Sequence, residues 1–325
     1  MTAHRRIGPA ARGLVVAATV PSRPDPPRAS VVIPHLNTPE LLVKCLQSVA
    51  SQRLDHGWFE IIVVDNGSRV PLDVIAASWP GVRFLVERTP GPGPARNLGV
   101  AHARAPVLVF TDADCRVAPG WLIAAVRAVE RKPAQPVGGD VRIDFRDPRS
   151  IRGIEAFEAV FSFRQKMYIR QKGFSITANL AVSREVFDAV GPFAGIDQAE
   201  DTDWGQRAVG LGHPTRYVPR MLIFHPARLS VADLERRWAR MIGHGYHEVG
   251  SGPIARLKWQ ARAVLVLASA LVHTPKLLLS ARVPTLTGRV RGIGVLFRIR
   301  WFRFREMRRV AREGGSGAQM QWNRA

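Results

Sequence analysis

Four short runs of apolar, mostly β-branched residues constrain this 325-residue chain more than any other feature. They lie at residues 30–34, 59–64, 82–86 and 107–110, each closed by a proline or polar cluster and separated by helix-length stretches. Continuous apolar runs of this length, bounded by turn signals, predict strands buried on both faces. Between them the residues change period. Thr38 and Pro39 predict an N-cap and a first helical position, and Leu41, Leu42, Cys45, Leu46 and Val49 follow at helical spacing. Cys45 sits on that stripe, so packing accounts for it. Helices are also predicted over 72–79, 95–103 and 120–131, the last opened by Pro119. Strand–helix alternation of this kind predicts an α/β fold, a mostly parallel sheet flanked by helices. In such sheets ligands bind at the carboxyl ends of strands. That directs attention to residues 34–37, 65–68 and 112–114.

The second half reads differently. A strand is predicted over 137–143, a long basic helix over 150–170, and a strand-like run with Thr177 and Asn179 embedded over 174–182. Helices are expected over 183–190, 201–211 and 230–242, and residues 250–253 (Gly-Ser-Gly-Pro) read as a hinge. The expected division is a loose leader over 1–28, a main domain over 29–250, and a helical tail over 251–325.

Charge separates that tail from the rest. The chain carries a net +21. Residues 252–325 hold fifteen Arg and Lys against Glu306 and Glu313, a net +13. So basic a segment seeks polyanions such as nucleic acid, anionic lipid or phosphorylated substrates. No helix-turn-helix, zinc-finger or RNA-recognition signature accompanies it, so no nucleic-acid partner is expected. Two cysteines, Cys45 and Cys115, exclude a disulfide framework or a four-thiolate zinc site. The longest uncharged apolar stretch of the tail, 263–275, is shorter than the roughly 20 residues a spanning helix needs.

Carboxylates mark the candidate chemistry. Asp112 and Asp114 stand two apart at the end of an apolar strand. They can converge on a hard divalent cation through oxygen ligands, or simply form a turn with capping aspartates. Glu200, Asp201 and Asp203 form an acidic cluster before a helix, which is equally a capping arrangement. His225 ends the apolar run 221–224.

Taken together, these segments resemble a known family. Residues 29–37 (Ala-Ser-Val-Val-Ile-Pro-His-Leu-Asn) are similar to the opening strand of inverting family 2 glycosyltransferases. Residues 63–68 (Val-Val-Asp-Asn-Gly-Ser) resemble their second-strand signature, and 93–99 (Gly-Pro-Ala-Arg-Asn-Leu-Gly) their Gly-x-Ala-Arg-Asn-x-Gly helix start. Asp112-Ala113-Asp114 falls at their Asp-x-Asp, and Glu200-Asp201 at their Glu-Asp motif. The resemblance covers roughly residues 29–245. It implies a GT-A fold and transfer of a sugar from a nucleotide-sugar donor, with inversion, to an acceptor hydroxyl on a glycan, polysaccharide or lipid-linked intermediate. It further implies donor contacts at Pro34, Asn37, Asp65, Arg96, Asp112 and Asn179. Mg²⁺ or Mn²⁺ would be held by Asp112, Asp114 and His225. Asp201 would be the general base with Glu200 in support. His35 and Leu36 depart from the family pattern after the proline. Arg96 has an alternative as the ion-pair partner of a nearby carboxylate, and Asn179 as a structural hydrogen-bond group.

The tail lies largely outside the resemblance. Arginines interleave with aromatics over 297–309, with Phe297, Trp301 and Phe304 on one helical face. That pattern suits the headgroup region of an anionic membrane or a helix packed on the catalytic domain with a solvated basic side. The expected location is cytoplasmic, peripheral at the inner face of the cell membrane. A nucleotidyltransferase of related fold and a basic nucleic-acid-binding protein are the alternatives.

Overall fold

The computed structural model describes residues 15–16, 25–196, 198–247 and 252–313. In chain order they form β1 (Val15–Val16), β2 (Ala29–His35), α1 (Pro39–Ala50), β3 (Phe59–Asp65), α2 (Asp73–Ser78), β4 (Val82–Val86), α3 (Pro92–His102) and β5 (Val107–Thr111). Next come β6 (Arg116–Val117), α4 (Trp121–Arg131), β7 (Val137–Asp144), α5 (Gly153–Phe161), α6 (Gln165–Lys172), β8 (Asn179–Ser183), α7 (Arg184–Val190) and α8 (Glu200–Gly210). Last are β9 (Arg216–Pro226), α9 (Val231–His247), α10 (Pro253–Leu278) and α11 (Leu286–Arg312). The described residues fall into two compact units. One runs to Val141 and resumes over Arg164–His225; the other takes Arg142–Phe163 and the residues from Pro226 on.

The first unit is built on a nine-stranded sheet in the order β1-β4-β3-β2-β5-β8-β7-β9-β6. β2 pairs in parallel with both β3 and β5, and β3 with β4, as the alternation predicts. From β2 the chain adds β3 and β4 to one side and β5 to the other. The strand order therefore reverses between β2 and β5, where open α/β sheets place their ligands. Antiparallel strands extend the sheet on both sides of this parallel core. Val31, Val32 and Ile33 of β2 and Leu108, Val109 and Phe110 of β5 are fully buried. Phe187 of α7, Phe193 and Trp204 of α8 pack with Phe110 in one aromatic cluster. α3 lies unusually close to β2: a Cβ on Gly99 would come within 2.4 Å of Val32 Cγ1, so only glycine permits that approach.

Several sequence expectations change. Residues 1–28 are not wholly a loose leader. Val15–Val16 pairs antiparallel with β4, and Arg28 is held by Asp55 and Glu130 at 2.5 and 2.7 Å. The rest of that segment up to residue 24 lies outside the described residues. Thr38 occupies the N-cap of α1 without a side-chain capping bond. The predicted helix over 150–170 is two helices, broken at 162–164. Phe161 and Phe163 both turn into the cluster around Ile143 and Ile151, which residues two apart on one continuous helix do not do. The run 174–182 becomes a strand only at Asn179, because the Asn179 N–H turns back to the Ile176 carbonyl. β9 runs eleven residues; Pro219 and two arginines hid all but its apolar centre.

In the second unit α5, α9, α10 and α11 form a helical bundle. Phe157, Leu234, Leu296 and Ile299 share one cluster, so α5 and α9 pack with the tail. The division therefore does not fall at residue 250. Trp259 and Ala263 of α10 join Ile242, Tyr246, Met307 and Val310 in another. α10 is, among the described residues, the one helix long and apolar enough by length and composition to cross a membrane. Its apolar window exceeds the charge-free run 263–275 because the helix continues through isolated charged residues at either end. The arginine-aromatic run of α11 is mostly packed. Ile299 is buried and Phe302 and Phe304 are half-buried, leaving Phe297 and Trp301 exposed. The Arg303 guanidinium stacks 3.7 Å from the Trp238 ring centroid. Burial pushes its pKa down to about 10. Most of this run is thus packed against α5, α9 and α10 within its own unit.

Candidate active site

The carboxyl ends of β2 and β3 are stitched into one edge. His35 and Asp65 are register partners on adjacent parallel strands. His35 is buried, and its Nε2 accepts the Thr38 N–H at 3.1 Å. Nδ1 therefore carries the hydrogen and donates it to Asp65 Oδ1 at 3.0 Å. The Ser68 hydroxyl donates to the same oxygen at 2.5 Å, and the Ser68 N–H to Oδ2 at 3.1 Å. Burial acts to raise the Asp65 pKa, but the His35 and Ser68 hydrogen bonds outweigh it and hold the carboxyl below its ordinary value. Asn37 takes a left-handed backbone, φ 55°, which asparagine tolerates better than most residues. Its N–H donates to Ser68 Oγ, and its Oδ1 accepts the Arg69 N–H. Pro34 is half-buried beyond the last β2–β5 pair, Val32–Phe110, so its missing N–H falls where one side of the ladder has opened.

The end of β5 divides its two aspartates. Asp112 Oδ1 accepts from Arg96 Nη2 at 2.5 Å, while Arg96 Nη1 donates to Glu200 Oε1 at 3.0 Å. Arg96 is 2% exposed. It thus lies beneath the edge as a tie between β5 and α8, the ion-pair arrangement that the sequence left open. Asp114 turns the other way, towards His225, whose Nε2 lies 3.5 Å from Asp114 Oδ2. Ligand atoms of Asp114, Cys115 and His225 lie within 4.8 Å of one another, and Asp112 is outside that group.

This donor set fits a divalent cation. A carboxylate and an imidazole converge, and such ions take the rest of their ligands from phosphate oxygens and water. Burial raises the Asp114 pKa, against the nearby His225, so a cation there would relieve an unfavourable charge. Cys115 is less suited to a hard cation. It is buried, its thiol donates to Asp114 Oδ1 at 3.4 Å, and desolvation pushes its pKa well up.

Glu200 and Asp201 occupy the first turn of α8. Asp201 Oδ1 accepts from the Thr202 N–H at 2.7 Å and from its hydroxyl at 3.2 Å. Burial, and then the Glu200 charge, raise the Asp201 pKa. Among the described residues no hydrogen-bond donor meets its Oδ2.

The Asn179 side chain is committed to internal hydrogen bonds. It is fully buried. Its Oδ1 accepts the Trp121 Nε1–H at 2.9 Å, and its Nδ2 donates to the carbonyls of Asp140 and Met221 at 2.8 and 2.9 Å. The side chain ties α4, β7, β8 and β9 together, and both its N–H donors are spent. Gly139 makes room for it, since a Cβ there would stand 2.3 Å from Asn179 Nδ2 and 1.8 Å from the Met221 carbonyl oxygen. Conversely, the reading of the sequence missed Ser68 and His35 as the groups that orient Asp65. A histidine at the end of a strand whose neighbour ends in aspartate is the available signal.

The model of the family described as Glycosyl transferase family 2 matches residues 30–199. Glycosyltransferase AglE of Haloferax volcanii is 31% identical over 208 residues, covering 62% of this chain and 68% of AglE. The PGL/p-HBAD biosynthesis glycosyltransferase of Mycobacterium bovis is 36% identical over 122 residues, 35% of this chain and 47% of that protein. Among solved structures, the mannosyltransferase PcManGT from Pyrobaculum calidifontis, in complex with GDP-Man and Mn²⁺, superposes with a TM-score of 0.51 at 18% identity. It covers 86% of this chain and 88% of its own. GalNAc-T7, with UDP, GalNAc and Mn²⁺, gives 0.50 at 19% identity over 64% of this chain and 45% of its own. At such identities the two superpositions establish the GT-A fold, while the family match sets aside the nucleotidyltransferase and nucleic-acid-binding alternatives. A family match over more than half the chain, with its motifs gathered at one sheet edge, establishes that the chain belongs to glycosyltransferase family 2, enzymes that transfer a sugar from a nucleotide-sugar donor.

Proposed function

We propose that the chain catalyses a single-displacement transfer with inversion, in which Asp201 takes the proton of the acceptor hydroxyl. The observation that carries this reading is the buried Arg96 tie. It fixes the helix bearing Asp201 against the strand end bearing Asp112 and Asp114, and so fixes the base relative to the leaving-group side. Asp201 suits the role because burial and Glu200 raise its proton affinity. Asp65, oriented by His35 and Ser68, presents fixed acceptor oxygens for an N–H of the donor's base, with Pro34 and Asn37 shaping the same edge. Asp114 and His225 would hold Mg²⁺ or Mn²⁺, and Asp112 is given to Arg96 instead. When bound, the cation supplies neutralisation of the charge that develops on the departing nucleoside diphosphate. An imidazole ligand favours Mn²⁺ over Mg²⁺, which agrees with the Mn²⁺ in both related complexes. The acceptor is a hydroxyl on a glycan or a lipid-linked intermediate.

The product's anomeric configuration, read by NMR directly after turnover, tests the displacement. Configuration opposite to the donor's is expected; retention would overturn the single-displacement reading. Glu200→Gln gives a second check. Asp201 works ionised, so activity falls as pH drops through its raised pKa. Removing the Glu200 charge lowers that pKa, and the acid limb of the pH–rate profile should move to lower pH. An unmoved limb contradicts the assignment of that limb to Asp201.

A further inference from the structure

On α10 the exposed residues Ile254, Leu257, Val264, Leu265, Leu271 and Val272 are each 57–73% exposed. At 3.6 residues per turn they fall within a stripe about 120° wide, and the exposed Ala261 and Ala268 fill its gaps. Trp259, Ala263, Ala270 and Leu277 are buried on the opposite side of the helix. The helix is thus apolar on both faces. One face is covered within the unit, and the other is open along most of the helix. A contiguous apolar row of this kind marks an interaction surface.

Its charged neighbours indicate what covers it. The ionisable residues of α10 apart from His273 are Arg256, Lys258, Arg262 and Lys276, all basic, and the helix holds no Asp or Glu. By the same helical geometry Lys258, Arg262 and Lys276 line one edge of the stripe. Two copies pressed together along it would bring like charges side by side. A bilayer with anionic headgroups would neutralise them while taking up the aliphatic row. A spanning orientation is unfavourable. The buried face of α10 is shared with α11, whose Met307 carbonyl accepts the Trp259 indole N–H at 2.9 Å. Crossing would draw the arginines of α11 into hydrocarbon or strip that face bare.

We propose that the open face of α10 docks on an anionic lipid bilayer, the helix lying in the plane of the interface. This is a different surface from the arginine-aromatic run of α11, and it does not rest on the assignment of the active site.

The test is co-sedimentation of the full-length protein with phosphatidylcholine vesicles, with and without phosphatidylglycerol. Binding is expected to the anionic vesicles, weakly to the neutral ones, with a part resistant to high salt. L265E/V272E places two carboxylates on exposed stripe positions, where folding is spared, and should lower the binding constant at least about tenfold. V74E/L229E adds the same charge at exposed aliphatic positions outside α10 and should change it by less than about threefold. Three results would overturn the proposal. The first is equal binding by L265E/V272E and the wild type. The second is wild-type protein that alkaline carbonate cannot release from vesicles, the mark of a span. The third is a lipid-free dimer that L265E/V272E dissociates while vesicle binding is unchanged, which makes the stripe a self-association face.

Discussion

Asp201→Asn should lower sugar transfer by about 10²–10⁴ while leaving donor affinity unchanged, the loss typical of removing a general base. The amide is nearly isosteric, and its oxygen can still accept the Thr202 N–H and hydroxyl that hold Asp201 Oδ1. The first turn of α8 therefore keeps its conformation. What disappears is the capacity to take a proton at the outward oxygen. Steady-state turnover with a donor-binding titration on the same preparation separates the two effects. Near-normal turnover in Asp201→Asn, with turnover lost in Glu200→Gln, would show the two roles exchanged.

Asn179→Leu should destabilise the fold by roughly 3–9 kcal/mol, since it removes the Asn179 partner of three buried groups at about 1–3 kcal/mol each. Those groups are the Trp121 indole N–H and the carbonyls of Asp140 and Met221. Leucine matches the volume but satisfies none of them. Chemical denaturation of the variant and the wild type measures the difference. A variant with unchanged stability and a raised KM for donor would return Asn179 to the binding site.

The parallel half of the fold is legible in the sequence because its signals are local. Each strand there is buried on both faces, so apolar runs such as 30–34 announce themselves, and the polar residues that close them land at one sheet edge by topology. Asn179 and Arg96 were less readable because their partners are distant in sequence. The Asn179 amide is satisfied 39, 42 and 58 residues away, and Arg96 meets Glu200 across 104. A polar residue in an apolar run has the same appearance whether it faces a ligand or a buried carbonyl. The tail shows a related limit. Interleaved aromatics and arginines on α11 drew attention by composition. Yet packing decides which face is open, and it closes much of α11 while leaving the plainer aliphatic stripe of α10 outside. The helix expected over 150–170 failed for a similar reason, since its basic residues suit helix but two phenylalanines two apart are both drawn into one cluster.

We propose metal-assisted transfer at the edge that carries Asp65, Asp114, Asp201 and His225. Release of nucleoside diphosphate from a panel of nucleotide sugars measures it most directly, with added Mn²⁺, with Mg²⁺, and in excess chelator. Turnover of at least one donor is expected with Mn²⁺, less with Mg²⁺, and none in chelator. Asp114→Ala and His225→Ala should each need more Mn²⁺ for half-maximal rate. Full turnover in chelator, or an unchanged Mn²⁺ requirement in both variants, would rule out a cation held by Asp114 and His225.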